Sequence, residues 1–142
     1  MTDEHTAIRA CVIADLPAVL GLWEQARSEH ARTPDRPPAV ERLILGSPGS
    51  LLLAQRGRGA VGVLIAAWDG WRGNLYRLAV HPEHRRHGVG LALVRAGEQH
   101  LRRLGATRIT ALVAYEDPIA AAFWDSAGYP PDAQIGRRVR NV

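Results

Sequence analysis

Histidine, arginine and glycine crowd one short stretch, His81-Pro82-Glu83-His84-Arg85-Arg86-His87-Gly88-Val89-Gly90. Arg85 and Arg86 bring fixed positive charge. Gly88 and Gly90 remove side chains where a backbone must approach something closely. A helix starting here leaves its first amides without a helical acceptor, at the positive end of its dipole. Such a place binds a phosphate or pyrophosphate. The spacing is Arg-x-x-Gly-x-Gly. It is not a Walker loop, which ends in Gly-Lys, because the chain has no lysine. It is not a Rossmann fingerprint, because Leu93 stands where the third glycine belongs. Alone, the spacing also fits an ordinary strand-to-helix turn with a solvated basic face. The three histidines match no metal-ligand spacing and read as solvated or phosphate-adjacent groups, so no metal is expected.

A strand and a helix must flank this turn if it is to hold phosphate. Leu75-Tyr76-Arg77-Leu78-Ala79-Val80 is a short apolar-rich run suited to a buried strand, and His81-Pro82 ends it. From Leu91 to Leu104 apolar residues recur at helical spacing: Val89, Leu93 and Ala96, then Val94, Leu101 and Leu104. Gly105 supplies a left-handed cap. Ala7 to Val12 reads as a first strand. Asp15 reads as an N-cap with Pro17 near the first turn, and Leu16, Leu20 and Trp23 share one face of a helix to about Ser28. Thr33 to Pro38 is a proline-rich loop before a short helix from about Ala39 to Leu45, closed by Gly46. Leu51–Gln55 and Ala60–Trp68 pair as a hairpin across Arg56-Gly57-Arg58-Gly59. Asp69–Gly73 leads into a strand over Asn74–Val80. Thr107–Ala114 is a fifth strand, parallel to its neighbour because a helix joins them. Asp117 caps a helix ending near Gly128, and the tail has room for one more strand. The pattern is an α+β domain with a mixed sheet.

Composition bounds the function. With 142 residues the chain is one domain, 1–142, and 46% hydrophobic content is enough for a core. No apolar run reaches the length of a membrane span, and the polar start, Met-Thr-Asp-Glu-His-Thr, lacks a signal-peptide core. A single cysteine, Cys11, cannot form an internal disulfide and reads as a small buried hydrophobe. Together these point to the cytoplasm. Net charge is +4, carried by arginine alone. The arginines are spread along the chain and no aromatic-basic RNA module is present, which speaks against nucleic acid as a partner.

The turn and its flanks resemble the GNAT superfamily of acyl-CoA N-acyltransferases. Members commonly carry Leu-Ala-Val-x-Pro-x-x-Arg-Arg-x-Gly-x-Gly, and this chain has Leu78-Ala79-Val80-His81-Pro82-Glu83-His84-Arg85-Arg86-His87-Gly88-Val89-Gly90. A second family segment, Asn-x-x-Ala-x-x-Phe-Tyr-x-x-x-Gly-Phe, is matched by Asp117-Pro118-Ile119-Ala120-Ala121-Ala122-Phe123-Trp124-Asp125-Ser126-Ala127-Gly128-Tyr129. Asp69-Gly70-Trp71-Arg72-Gly73 looks like a loop of a bacterial subgroup. The resemblance implies a three-layer α/β/α fold with a mostly antiparallel sheet, splayed between its fourth and fifth strands. It implies acetyl-CoA as co-substrate, held in the splay, and an amine acceptor. Leu78 and Val80 match positions whose backbone pairs with pantetheine, and the Leu78 N–H matches the donor that polarises the thioester carbonyl. Amides from Arg86 through His87, Gly88, Val89 and Gly90 to Leu91 would hold the pyrophosphate, with Arg85 and Arg86 reaching phosphates. Asp117, with Ala120 in the same motif, matches a pantetheine contact.

The chain departs from the family where a proton must move. The usual tyrosine acid is replaced by Trp124, whose indole N–H gives up no proton near neutral pH. Arg72 and Leu112 stand where some members carry a glutamate. Tyr76 shares strand parity with Leu78 and Val80, so it is expected on their side of the sheet, as a proton-handling group or as packing. Glu24, Tyr115, Glu116 and Tyr129 are reserves. The segment from about Trp23 to Val40 matches the acceptor side; its Glu24, Glu29, His30, Arg32 and Asp35 suit a charged or polar acceptor. Trp23, Trp68 and Trp71 either wall that pocket or fill the core. Two readings follow: an N-acetyltransferase acting on a primary amine of a small molecule or a peptide or protein, and a catalytically weak acyl-CoA-binding regulatory module. A homodimer is left open.

Overall fold

The computed structural model describes residues 5–26, 34–114 and 116–142. Strands β1 (Thr6–Ala10), β2 (Leu51–Arg56), β3 (Gly59–Trp68), β4 (Gly73–Val80) and β5 (Ile109–Ala111) form one sheet in that order. Neighbours are antiparallel except β4 and β5, which are parallel. Helices α1 (Leu16–Ala26) and α2 (Pro37–Gly46) fall between β1 and β2, α3 (Val89–Leu104) between β4 and β5, and α4 (Pro118–Ser126) after β5. Gly57, at φ 59°, and Arg58 close the β2–β3 hairpin. A positive φ there suits the twist of the paired strands.

Each face of the sheet has its own core. Leu51, Leu53, Val63 and Ile65 pack against Val19, Leu22 and Trp23 of α1 and Val40 and Ile44 of α2. Leu52, Leu64, Ala66 and Leu75 pack against Val89, Leu93, Val94 and Leu101 of α3 and Trp124 of α4. A strand covered on both sides needs apolar residues at every position, which accounts for the unbroken run Val61 to Ala66. Small residues let α3 sit close. A Cβ on Gly97 would lie 3.0 Å from Leu75 Cδ2, and one on Gly62 would lie 2.9 Å from Leu93 Cδ1.

The mixed α+β sandwich matches the sequence expectation, and several details differ. Asp15 does not cap α1 as its N-cap. It ends a 3-10 turn, Ile13–Asp15, where its carboxylate accepts the Val12 N–H (2.8 Å) and pairs with Arg9 (2.7 Å). The buried face of α1 is Val19, Leu22 and Trp23, with Leu16 and Leu20 only partly covered. Helix α2 starts two prolines earlier than its apolar spacing suggests, since proline is tolerated in a first turn. Leu104, expected on the buried face of α3, is 46% exposed. The expected tail strand is absent among the described residues, and β5 is far shorter than Thr107–Ala114. Ser28, Thr33, Glu29, His30, Arg32 and Tyr115 lie outside the described residues. Among the described residues no helix is long and apolar enough to cross a membrane.

Gly62→Ala tests the close approach of α3. The new methyl would also meet the Ala79 carbonyl at 3.3 Å, a backbone atom that cannot rotate away. We expect a loss of about 1–3 kcal/mol, as for overpacked cores, measured by chemical denaturation. Unchanged stability would mean the helix has slack at this point.

Candidate active site

Strand β4 carries one residue too many. Val80 faces Gly62 and Ala79 faces Val63, yet Tyr76 faces Ile65, so Leu64 is opposed by both Arg77 and Leu78. Arg77 takes up the excess at φ 57°, a left-handed conformation costly for a residue with a Cβ. The bulge overturns the parity expected for Tyr76. Counting in twos assumes an uninterrupted strand. Here Leu78 and Val80 pack on the α3 face, while Tyr76 joins the α1/α2 core on the opposite face. Burial pushes the Tyr76 phenol up from its ordinary value, the Arg77 charge only partly opposing it, so it keeps its proton at neutral pH.

Three contacts hold the bulge. The Trp23 indole N–H donates to the Arg77 carbonyl at 2.9 Å. The Arg77 guanidinium lies 5.6 Å from the centre of the Trp23 ring and pairs with Asp35 at 2.8 Å. Both charged partners are largely shielded, with side chains 15% and 14% exposed. This pairing ties β4 to the chain entering α2.

Beyond the bulge the sheet opens. Strand β5 pairs with Gly73, Asn74 and Leu75 of β4, and one further bond runs from the Leu112 N–H to the Leu75 carbonyl at 3.2 Å. From Tyr76 to Val80, β4 has no ladder partner on that side among the described residues. This explains the short β5: after Ala111 the strands part. The edge carrying Leu78 and Val80 can accept another extended, amide-bearing chain as a strand would.

The glycine turn follows directly. The His81 N–H is tied to the Val61 carbonyl at 2.8 Å, and His81 Nδ1 accepts the Glu83 N–H at 3.1 Å. Arg86 (φ 66°) and Gly88 (φ 75°) both turn left-handed, and Gly88 is the N-cap of α3. The first helical bond is from the Ala92 N–H to the Gly88 carbonyl, 3.0 Å. The amides of Val89, Gly90 and Leu91 therefore face out of the helix N-terminus, with no helical acceptor. Arg85, Arg86 and His87 are exposed around them. Gly90 serves a second purpose that its spacing did not reveal. A Cβ there would lie 3.2 Å from the Phe123 ring, so its smallness also seats α4 against α3.

Helix α4 forms the far wall. Asp117 caps it, its carboxylate accepting the Ala120 N–H at 3.0 Å. Trp124 is 5% exposed and packs edge-on between Phe123 and Tyr129. Tyr129 is not a free acid: its hydroxyl donates to Glu98 at 2.6 Å. Burial, then that bond, raises its phenol. Burial works to raise the Glu98 carboxyl, but Tyr129 and Arg95 outweigh it, and the net shift is downward. Glu24 and Glu116 are exposed. Cys11 is buried, and burial pushes its thiol up to about 12, so it is no nucleophile near neutrality.

On the α1/α2 side an open cleft of about 370 Å³ is lined by Leu20, Glu24, Pro34 and Asp35. The tryptophans do not wall it. Trp23 is core, Trp71 is 84% exposed, and Trp68 lines a separate cavity of about 200 Å³ with His100 and Leu104.

A model of the acetyltransferase (GNAT) family matches residues 17–129. The chain belongs to the GNAT acetyltransferase family. Sequence relatives of this GNAT protein are named as acetyltransferases. Acetyltransferase ECA0875 of Pectobacterium atrosepticum is 30% identical over 81% of both chains. Acetyltransferase plu1384 of Photorhabdus laumondii is 34% identical over 70% of this chain and 68% of its own. The fold is shared with AAC(6')-Iy, solved with a CoA-S-monomethyl-acetylneamine bisubstrate analogue, at a TM-score of 0.77, 22% identity, and 96% and 99% coverage. This protein is thus a GNAT-type acetyltransferase, with its sheet opened beside the glycine turn.

Tyr129→Phe separates the structural phenol from the reserve acid. The variant loses a hydrogen bond to a charged group, and we expect about 1–3 kcal/mol less stability with unchanged turnover. A depressed folded-state pKa at Glu98 adds stability at neutral pH that is lost as pH falls through the carboxylate range. The variant should therefore show a shallower acid loss in denaturation. A lower kcat would return Tyr129 to the mechanism.

Proposed function

We propose that the protein transfers the acetyl group of acetyl-CoA to a primary amine on a small molecule or a peptide. The observation that carries this reading is the open edge of β4, from Tyr76 to Val80, ending beside the unpaired amides at the α3 N-terminus. Pantetheine would pair with the backbone of Leu78 and Val80, and Asp117 and Ala120 would border it from α4. The pyrophosphate would sit on amides between Arg86 and Leu91, with Arg85 and Arg86 offsetting its charge.

The acceptor would enter from the cleft lined by Leu20, Glu24, Pro34 and Asp35. Asp35 is turned to Arg77, and Glu24 supplies the negative charge that attracts an ammonium group. The bound ammonium must first lose a proton to water in the open cleft. Its nitrogen attacks the thioester carbon, the Leu78 N–H bonds to the oxygen as charge builds, and the C–S bond then breaks. The nitrogen sheds a further proton to water in the open cleft, and the departing thiolate gains one. Tyr76 holds its proton on the acceptor face, across the strand from Leu78, and would pass one to the thiolate through an ordered water. Trp124 is enclosed in the core and suits neither.

Thiol release from acetyl-CoA, followed across a panel of small amines and peptides, tests the reading. Amine-dependent release, with N-acetylated product by mass spectrometry, is expected. Acetyl-CoA binding without release on any amine would favour a regulatory module. Tyr76→Phe deletes one hydroxyl and should lower kcat by about 10–10²-fold with acetyl-CoA affinity kept. Wild-type kcat from pH 6 to 10 would reduce Tyr76 to packing. Arg85→Ala with Arg86→Ala should weaken acetyl-CoA by about tenfold or more, since hydrogen bonds to charged groups are lost.

A further inference from the structure

We propose that Trp23 is a positioning residue for acyl transfer: its indole N–H fixes the peptide between Arg77 and Leu78 and so aims the Leu78 amide. The inference rests on the reading in which that amide polarises the thioester carbonyl.

A trans peptide is planar, and its C=O and N–H point in opposite directions. The carbonyl of Arg77 and the amide of Leu78 belong to one such plane. In a regular ladder both would lie along the sheet. Here the extra residue takes this plane out of register, and the carbonyl turns to α1, where Trp23 Nε1 donates at 2.9 Å. The Leu78 N–H must then point away from α1, toward the side that carries the open N-terminus of α3. Whatever sets the carbonyl sets the amide.

Trp23 is suited to hold it. The ring is 3% exposed and fixed within the α1/α2 core, so its N–H has little freedom. The Arg77 guanidinium lies against the same ring and forms an ion pair with Asp35 at 2.8 Å, bracing the left-handed residue from its side chain as well. A carbonyl that accepts a hydrogen bond also makes its own amide a stronger donor. Indole is one of few apolar rings that can fill a core and still donate. Phenylalanine would fill most of the space and leave the peptide free to rotate.

Trp23→Phe is the test, read by turnover and by isotope-edited infrared spectroscopy of bound acetyl-CoA carrying a ¹³C carbonyl. In the wild type the carbonyl band should fall to lower frequency than in solution. In the variant the shift should shrink and kcat should drop by about tenfold, short of the loss seen when an oxyanion donor is removed outright. Acetyl-CoA Kd should stay within about twofold, because the interaction matters chiefly in the transition state. A purely structural role would lower the melting temperature without moving the band. If Trp23→Phe does not fold, replacing Trp23 with β-(3-benzothienyl)alanine keeps the ring and removes only the N–H, with the same expectation. A wild-type band unshifted from solution would sink the Leu78 reading itself. A shifted wild-type band, with shift and kcat both kept in the variant, would overturn the role of Trp23 alone.

Discussion

One inserted residue governs the layout of this protein. With Arg77 at φ 57°, β4 changes face halfway along. From Gly73 to Leu75 the strand is paired on both sides and belongs to the sheet. After it, the strand keeps β3 and loses β5, and its free edge leads straight into the glycine turn. A left-handed arginine costs about 1–3 kcal/mol. Trp23 and Asp35 offset that cost through an indole hydrogen bond, a cation–π contact and a shielded ion pair. The strain is placed where a free strand edge is useful.

The same constraint gives the sheet two chemically different faces at the bulge. The α3 face holds the glycine turn, the open helix N-terminus and the side chains of Leu78 and Val80. The α1/α2 face holds Tyr76, the Arg77–Asp35 pair and the cleft beside Glu24. Acyl donor and acceptor would meet from opposite sides at the bulge. The phenol of Tyr76 lies on the α1/α2 face, not beside Leu78 and Val80 where strand parity put it, and in the proposed reaction it would belong to the acceptor half. Helix α4 serves as wall. Its Trp124 is locked between two aromatic rings, and Tyr129 is held by Glu98.

What could be read from the chain follows from how local each signal is. The glycine turn, α3 and its Gly105 cap are short-range features, and they stand where their spacing put them. The Asp117 cap is local too. The bulge was not legible, because a left-handed arginine has no compositional mark as a glycine would. The length of β5 was not legible either, since a strand is defined by its partner and the partner leaves after Leu75. Tyr129 looked available because its acceptor, Glu98, is 31 residues away. Asp15 has the right residue type for a cap, but the Arg9 charge and the Val12 amide draw its carboxylate into a tighter turn.

Amide hydrogen exchange, followed residue by residue by NMR with and without acetyl-CoA, shows whether the cofactor lies along the free edge of β4. Acetyl-CoA should slow exchange at Leu78 or Val80 and at Val89, Gly90 and Leu91, while the hydrogen-bonded amides pairing β1 and β2 stay unchanged. Protection confined to other segments, with the β4 edge and the α3 N-terminus exchanging as before, would contradict it.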